Sequence, residues 1–397
     1  MSIAAPIGAE EFAALMRPFG PFPPPDSAYP VAVAVSGGAD SLCLALLVSK
    51  WRSGGVALIV DHGLRAEAPD EAATTARLVR SFGMKADVLT LSGLRRDGAI
   101  QESAREARYA ALTTACQRLG ALDLLLAHHR SDQIETVAIR RRAGSGPRGL
   151  AGMARFSERG GVRVLRPLLD IEPDRLRATL RKAGVDWIED PSNRNRRFER
   201  VRWREDLPPP ERRTLAALGA RYGRERNKRR EVLAEAALSV AFDPAGFFRL
   251  PSALPEADLL AELWRVVGSG KHPVPLNVMV RLVSAPHPVT LGGAMLVRKG
   301  AGWILCREPS AVQEPCVARD GALWDGRWRL SDPGGQARGW MIAAAGYRLT
   351  GQDTPAVVRR SLPVLECGDE FRRPSGKDDE PRFVFSPPAA ALDGAFW

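Results

Sequence analysis

Four stretches carry side chains whose types and spacing could do chemistry. The first is SGGADS (36–41), which follows the apolar run VAVAV (31–35) and opens a helical pattern. Gly37 and Gly38 let the backbone turn tightly and approach an anion. Ser36, Ser41 and the free amides of the first helical turn can hydrogen-bond phosphate oxygens. The common ATPase loop would place a lysine on the terminal phosphates. This loop has none, and Asp40 stands where it repels an anion unless a metal such as Mg2+ intervenes. The structural alternative is a glycine turn with serine and aspartate acting as helix N-caps.

QESAREARY (101–109) has helical spacing, with Glu102 and Glu106 four apart and Arg105 and Arg108 three apart. A planar guanidinium suits a phosphate, so one of these arginines is a candidate nucleotide contact; a solvated Glu/Arg face is the alternative. AHHRSDQIET (127–136) leaves an apolar run and enters a helix, with His128 and His129 at the junction and Asp132 and Glu135 on one helical face. A metal site of the H-x-x-x-D-x-x-E type and a simply capped helix are rival readings of it. EDPSNRNRRFERVRWR (189–204) interleaves arginines with Phe198 and Trp203, a pattern that suits single-stranded RNA and equally a basic linker helix.

The elements that position these residues follow from the apolar pattern. VAVAV, VALIV (56–60), ADVLTL (86–91) and LDLLLA (122–127) are short runs separated by longer amphipathic stretches. Strands apolar on both faces belong to a parallel sheet covered by helices on each side, so residues 1–206 are expected to form a doubly wound α/β domain. The proline-rich stretch 18–30 reads as a leader, which starts the fold near Pro30. Residues 207–285 read as a basic helical region. Residues 286–397, where AMLVRKGAGWILCREP and ALWDGRWRL alternate between glycine and proline breaks, read as a small β-rich domain.

Lys+Arg 57 against Asp+Glu 46 gives a net charge of +11 across 397 residues, which favours an anionic partner. The five cysteines (Cys43, Cys116, Cys306, Cys316, Cys367) are scattered and lack any C-x-x-C pair, so they read as reduced thiols rather than disulfides or metal ligands. No signal sequence and no apolar segment of membrane-spanning length stands out, and a cytoplasmic protein is expected.

SGGADS resembles the phosphate loop of the ATP-pyrophosphatase superfamily. Together with VDHGLR (60–65), QESAREARY, AHHRSDQIET, GSGPRGLAGM (144–153), LRPLL (165–169) and EDPSNRNRRFERVRWR, in that order, it is similar to the tRNA(Ile)-lysidine synthetase family. The resemblance is strong over roughly residues 30–206 and weaker beyond. Two positions depart from the family pattern: Ala143 precedes GSG where an arginine is common, and Val201 replaces an asparagine. Both touch expected substrate or RNA contacts and leave the phosphate loop intact.

The resemblance implies an ATP- and Mg2+-dependent ligase. It adenylates the wobble cytidine of an isoleucine tRNA with a CAU anticodon, and free L-lysine then displaces AMP. On that basis Ser36, Gly37, Gly38, Ala39, Asp40 and Ser41 would hold the phosphates, with Asp40 acting through Mg2+, and Val60 would line the adenine pocket. Arg105 would reach the nucleotide, His128 would steady the α-phosphate, and His62 would support. Asp132 and Glu135 would hold the lysine ammonium and take its proton. Arg200, Arg202 and Arg204 would bind tRNA, no membrane would be involved, and a homodimer is compatible with the reading. A thiolating relative would need placed cysteines, and a non-catalytic RNA-binding relative would not need the intact loop.

Overall fold

The computed structural model describes residues 4–25, 28–61, 63, 68–91, 100–189, 199–270, 273–351, 353–374 and 380–387. The chain forms two compact units, residues 1–227 and 228–397.

The first unit is built on β1 (Val31–Val35), β2 (Val56–Asp61), β3 (Lys85–Thr90), β4 (Asp123–Leu125), β5 (Phe156–Arg159) and β6 (Val162–Leu165), in the sheet order β3-β2-β1-β4-β6-β5. All neighbouring pairs are parallel except β5–β6. The two-sided burial expected of these strands is visible along β1. Val31, Val33 and Val35 join one core with helices α1 (Ala9–Met16), α2 (Ala39–Trp51), α3 (Ala68–Ser81) and α7 (Pro173–Lys182). Ala32 joins the opposite core with α4 (Ile100–Leu119). A period of two with apolar residues at every position therefore produces a sheet sandwiched by helices. α5 (Arg130–Arg142), α6 (Pro147–Leu150), α8 (Glu199–Asp206) and α9 (Pro209–Ala237) complete the helices that matter here.

Three expectations need correction. The fold does not start at Pro30: Phe12 and Met16 of α1 are fully buried, and Glu11 is held by both Nη atoms of Arg175 at 2.7 Å. β3 is an edge strand with every residue partly or fully exposed rather than a buried one, because nothing pairs with its outer side among the described residues. The β5–β6 hairpin lies outside the expected strands; its turn is Gly160-Gly161, with both φ positive.

In the second unit β7 (Ala241–Asp243), β8 (Phe247–Leu250), β9 (Val289–Leu291), β10 (Ala294–Lys299) and β11 (Gly302–Arg307) form a sheet in the order β7-β8-β11-β10-β9. α10 (Ala257–Gly268) and α11 (Leu276–Ser284) bury their apolar faces with it. Strands at 241–250 thus hydrogen-bond across the expected boundary at 285, so 207–285 is not a separate helical body. The expected division at 206 also differs from the observed one at 227. The β-rich character holds: a second sheet contains β12 (Cys316–Val317), β15 (Met341–Ala344), β16 (Pro363–Cys367) and β17 (Glu370–Arg372). A third contains β13 (Leu323–Trp324), β14 (Trp328–Ser331) and β18 (Arg382–Phe385), and α12 (Ala356–Arg359) connects β15 to β16. Among the described residues no helix is long and apolar enough to cross a membrane.

Candidate active site

β1 and β4 are parallel neighbours, paired from Val31↔Asp123 to Val33↔Leu125. Their following helices α2 and α5 therefore begin at the same edge of the sheet. The strand order runs outward in opposite directions from this pair, which is where open α/β sheets bind ligands. Gly37 accepts φ +84°, and a Cβ there would meet Thr75 Oγ1 at 2.5 Å, so the turn requires glycine. Within the loop Ser41 Oγ donates to the Gly38 carbonyl at 3.0 Å and accepts the Ser36 N–H at 3.0 Å. Buried Ser41 thus braces the turn, while Ser36 is exposed and Gly38 caps α2 without a side chain in the way.

Asp40, in the first turn of α2, faces the start of α5. Its Oδ2 lies 3.4 Å from His129 Nε2, and the other face of that imidazole puts Nδ1 3.5 Å from Asp132 Oδ2. The His129 backbone N–H also donates to Asp132 Oδ2 at 2.9 Å. Burial opposes protonation of His129, but the flanking Asp40 and Asp132 outweigh it, and its pKa is raised. His129 thus bridges Asp40 and Asp132, while His128, expected beside the α-phosphate, is half-buried in the segment that follows β4. The N-cap-to-N3 spacing of His129 and Asp132 was the available signal.

Arg204 of α8 completes the network. Its Nε donates to Glu135 Oε1 at 2.7 Å and its Nη2 to Oε2 at 3.3 Å, with Asp132 Oδ1 at 3.7 Å from Nη2. The Glu135 side chain is 2% exposed and that of Asp132 17%. Glu135 is thus more deeply buried than Asp132, and Arg204, expected at the tRNA, pairs with Glu135 in this structure. The reason is physical: a buried carboxylate requires a cation, and Arg204 is the one that packing supplies.

Burial lifts the Glu135 carboxyl above the usual range, opposed by the hydrogen bond and charge of Arg204. Removing that guanidinium would lift it further. A carboxyl whose folded pKa exceeds its unfolded value binds its proton more tightly when folded, so stability falls as pH rises through the folded value. Arg204→Ala is therefore expected to cost about 2 kcal/mol near neutral pH, less than a fully buried pair because Arg204 is 40% exposed. The deficit should shrink as pH falls and the carboxyl takes up its proton. Thermal melts of both proteins against pH measure it, and a pH-independent deficit would assign the loss to packing alone.

Val60 is half-buried near the end of β2. Arg105 stacks over the Tyr109 ring at 5.3 Å, and Arg159 does so at 4.5 Å. Arg202 is exposed on α8. His62, residues 190–198 with Phe198, and the side chains of Glu102 and Arg200 lie outside the described residues. The GSGPRGLAGM segment is pinned by Arg140, which donates to the Gly149 and Gly152 carbonyls, and by Arg226, which donates to those of Gly152 and Met153. Cys43 and Cys116 are buried, and burial pushes both thiols up to about 12, so neither is a ready nucleophile.

For a divalent cation the arrangement is specific. Asp40 Oδ1 is buried with no hydrogen-bond partner among the described residues, and no cluster of three His, Cys, Asp or Glu side chains forms among them. A single carboxylate oxygen at a phosphate loop fits Mg2+, which is commonly shared between one or two carboxylates and substrate phosphates, and does not fit an all-protein metal cage.

Comparison with known proteins is consistent with this geometry. The ATP_bind_3 family, described as a PP-loop domain, matches residues 9–211. The chain is 35% identical over 342 residues to the tRNA(Ile)-lysidine synthase of Ruegeria pomeroyi, covering 80% of this chain and 81% of that protein. It is 38% identical over 347 residues to the protein of that name from Methylobacterium nodulans, covering 77% and 97%. With the one from Rhodopseudomonas palustris identity rises to 48% over 184 residues, covering 45% and 53%.

Proposed function

The chain belongs to the tRNA(Ile)-lysidine synthase family of PP-loop proteins, and from that premise we propose that it joins free L-lysine to carbon 2 of the wobble cytidine of an isoleucine tRNA with a CAU anticodon. The observation that carries this reading is the continuous polar chain Asp40–His129–Asp132–Arg204–Glu135, which links a phosphate loop to a pair of carboxylates. A cytidine O2 is a poor leaving group, and its adenylate leaves as AMP. One ATP, cut between its α and β phosphates, therefore supplies both activation and departure.

The loop Ser36–Ser41 holds the phosphates through its backbone amides and the positive end of α2. Asp40 Oδ1 would hold Mg2+, which supplies charge neutralisation for departing pyrophosphate. His129 fixes the Asp40 carboxylate through Oδ2 and leaves Oδ1 without a hydrogen-bond partner among the described residues. His128 and Arg105 are the proposed contacts to the nucleotide. Asp132, the more exposed of the two carboxylates, meets the ammonium of lysine first. Glu135 is reached when that ammonium takes the place of the Arg204 guanidinium, since both cations suit the same oxygens. An amine with a pKa of about 10.4 must lose a proton to attack, and a carboxyl raised by burial is a better acceptor than an exposed one. Arg200 and Arg202 are proposed to meet tRNA, in the cytoplasm where the tRNA pool resides.

The test is incubation with ATP, Mg2+, labelled lysine and a transcript of the CAU-bearing isoleucine tRNA, followed by nuclease digestion. Labelled lysidine and stoichiometric AMP are expected; release of ADP, or no labelled nucleoside, refutes the reading.

A further inference from the structure

Past Glu135, the same stripe of α5 changes character. Ala138 and Arg142 continue its face at three- and seven-residue spacing, with Arg141 alongside. Opposite them stand Trp203 of α8 and Glu211 and Leu215 of α9, and these six residues line an open cavity of about 330 Å3. From the helical rise it lies roughly 5–10 Å along α5 from Glu135. Its volume is at the low end for small-ligand sites, enough for one planar group and too little for a stem.

The cavity wall is built for such a group. Trp203 packs part of its ring against the Ile134–Val137–Ala138 cluster, and its indole N–H donates to Glu199 Oε1 at 3.2 Å, which fixes the ring plane. Arg140 is committed to backbone carbonyls, whereas Arg141 and Arg142 are exposed at the rim. Arg142 reaches Glu199 at only 3.5 Å, a weak contact between exposed side chains that a phosphate can displace. Glu211 offers an acceptor for a base N–H. An aromatic face flanked by guanidinium groups is how proteins hold an unstacked base of single-stranded RNA.

We propose that this cavity receives the base of a nucleotide flanking the modified cytidine, with Arg141 and Arg142 on its phosphate. The proposal rests on the functional reading above. The Arg141→Ala/Arg142→Ala double variant, altered only at exposed positions, is expected to bind an isolated anticodon stem-loop about tenfold more weakly. The slope of log Kd against log salt should fall by about 1, and kcat at saturating tRNA should stay within about twofold. A stem-loop carrying 5-iodouridine next to the target cytidine should crosslink to Trp203. An unchanged salt slope overturns the proposal, as does a crosslink mapping elsewhere. A loss seen with whole tRNA but not with the stem-loop also overturns it, since another part of the RNA would then occupy the cavity. Lysidine formation by the unaltered protein is measured in the same preparation, so failure of the function and failure of this subsite give different results.

Discussion

Asp40→Ala is expected to lower lysidine formation about a thousandfold while leaving tRNA affinity and the melting temperature nearly unchanged. The size follows from losing the charged oxygen that balances a departing pyrophosphate, where single electrostatic contacts are commonly worth a factor of 10^2 to 10^3; a thousandfold is about 4 kcal/mol. The effect on folding is smaller by comparison. Asp40 sits in the first turn of α2, and losing an acidic residue there costs roughly 0.3–1 kcal/mol. Asp40→Asn separates charge from shape, because it keeps an oxygen near His129 without the negative charge. Both variants should be equally inactive in tRNA-dependent ATP–pyrophosphate exchange. Near-normal exchange by the asparagine variant would remove the charge role from Asp40.

The second large effect lies in the other unit and concerns stability. Asp325 is buried between two arginines. Arg307 donates through Nε at 3.0 Å and Nη2 at 2.7 Å, and Arg327 through Nε at 2.9 Å and Nη2 at 2.7 Å. Burial pushes the Arg327 guanidinium down to about 10, against the pull of Asp325. Asp325→Ala would leave two buried cations without their shared carboxylate, a change expected to cost about 3–5 kcal/mol. The residue also adopts φ +51° in the Asp325-Gly326 turn, which aspartate and asparagine tolerate and alanine resists by roughly a further 1 kcal/mol. Asp325→Asn retains the turn preference, so comparing the two variants separates charge from backbone. Hydrogen exchange resolved along the chain should show the loss within 228–397 and none within 1–227. Uniform protection of both units at wild-type level would show that the arginines find other partners.

The sequence determined the layered α/β domain, because alternating apolar residues with no polar face admit little except a sheet covered on both sides. VAVAV divides its side chains between two cores as that pattern requires. It also determined the phosphate loop, since glycine conformation and helix-terminal amides are properties of six contiguous residues. The β10–β11 and β13–β14 hairpins were legible for the same local reason. The N-terminal helix was not, because Phe12 and Met16 count as core only once other elements close over them. Nor was the edge position of β3, which depends on strand order.

At the site, the sequence named the chemically able residues without saying which of them meet. Arg204 reads as an RNA contact, and His128 rather than His129 as the residue beside the α-phosphate. Tertiary packing adds what no local pattern shows, placing Glu135 out of water beside Arg204, where only a nearby cation makes its charge tolerable, and setting His129 between Asp40 and Asp132. Chain-local geometry is written in neighbouring residues, whereas the pairing of charges depends on which distant segments share a low-dielectric space, and that is settled only when the fold closes.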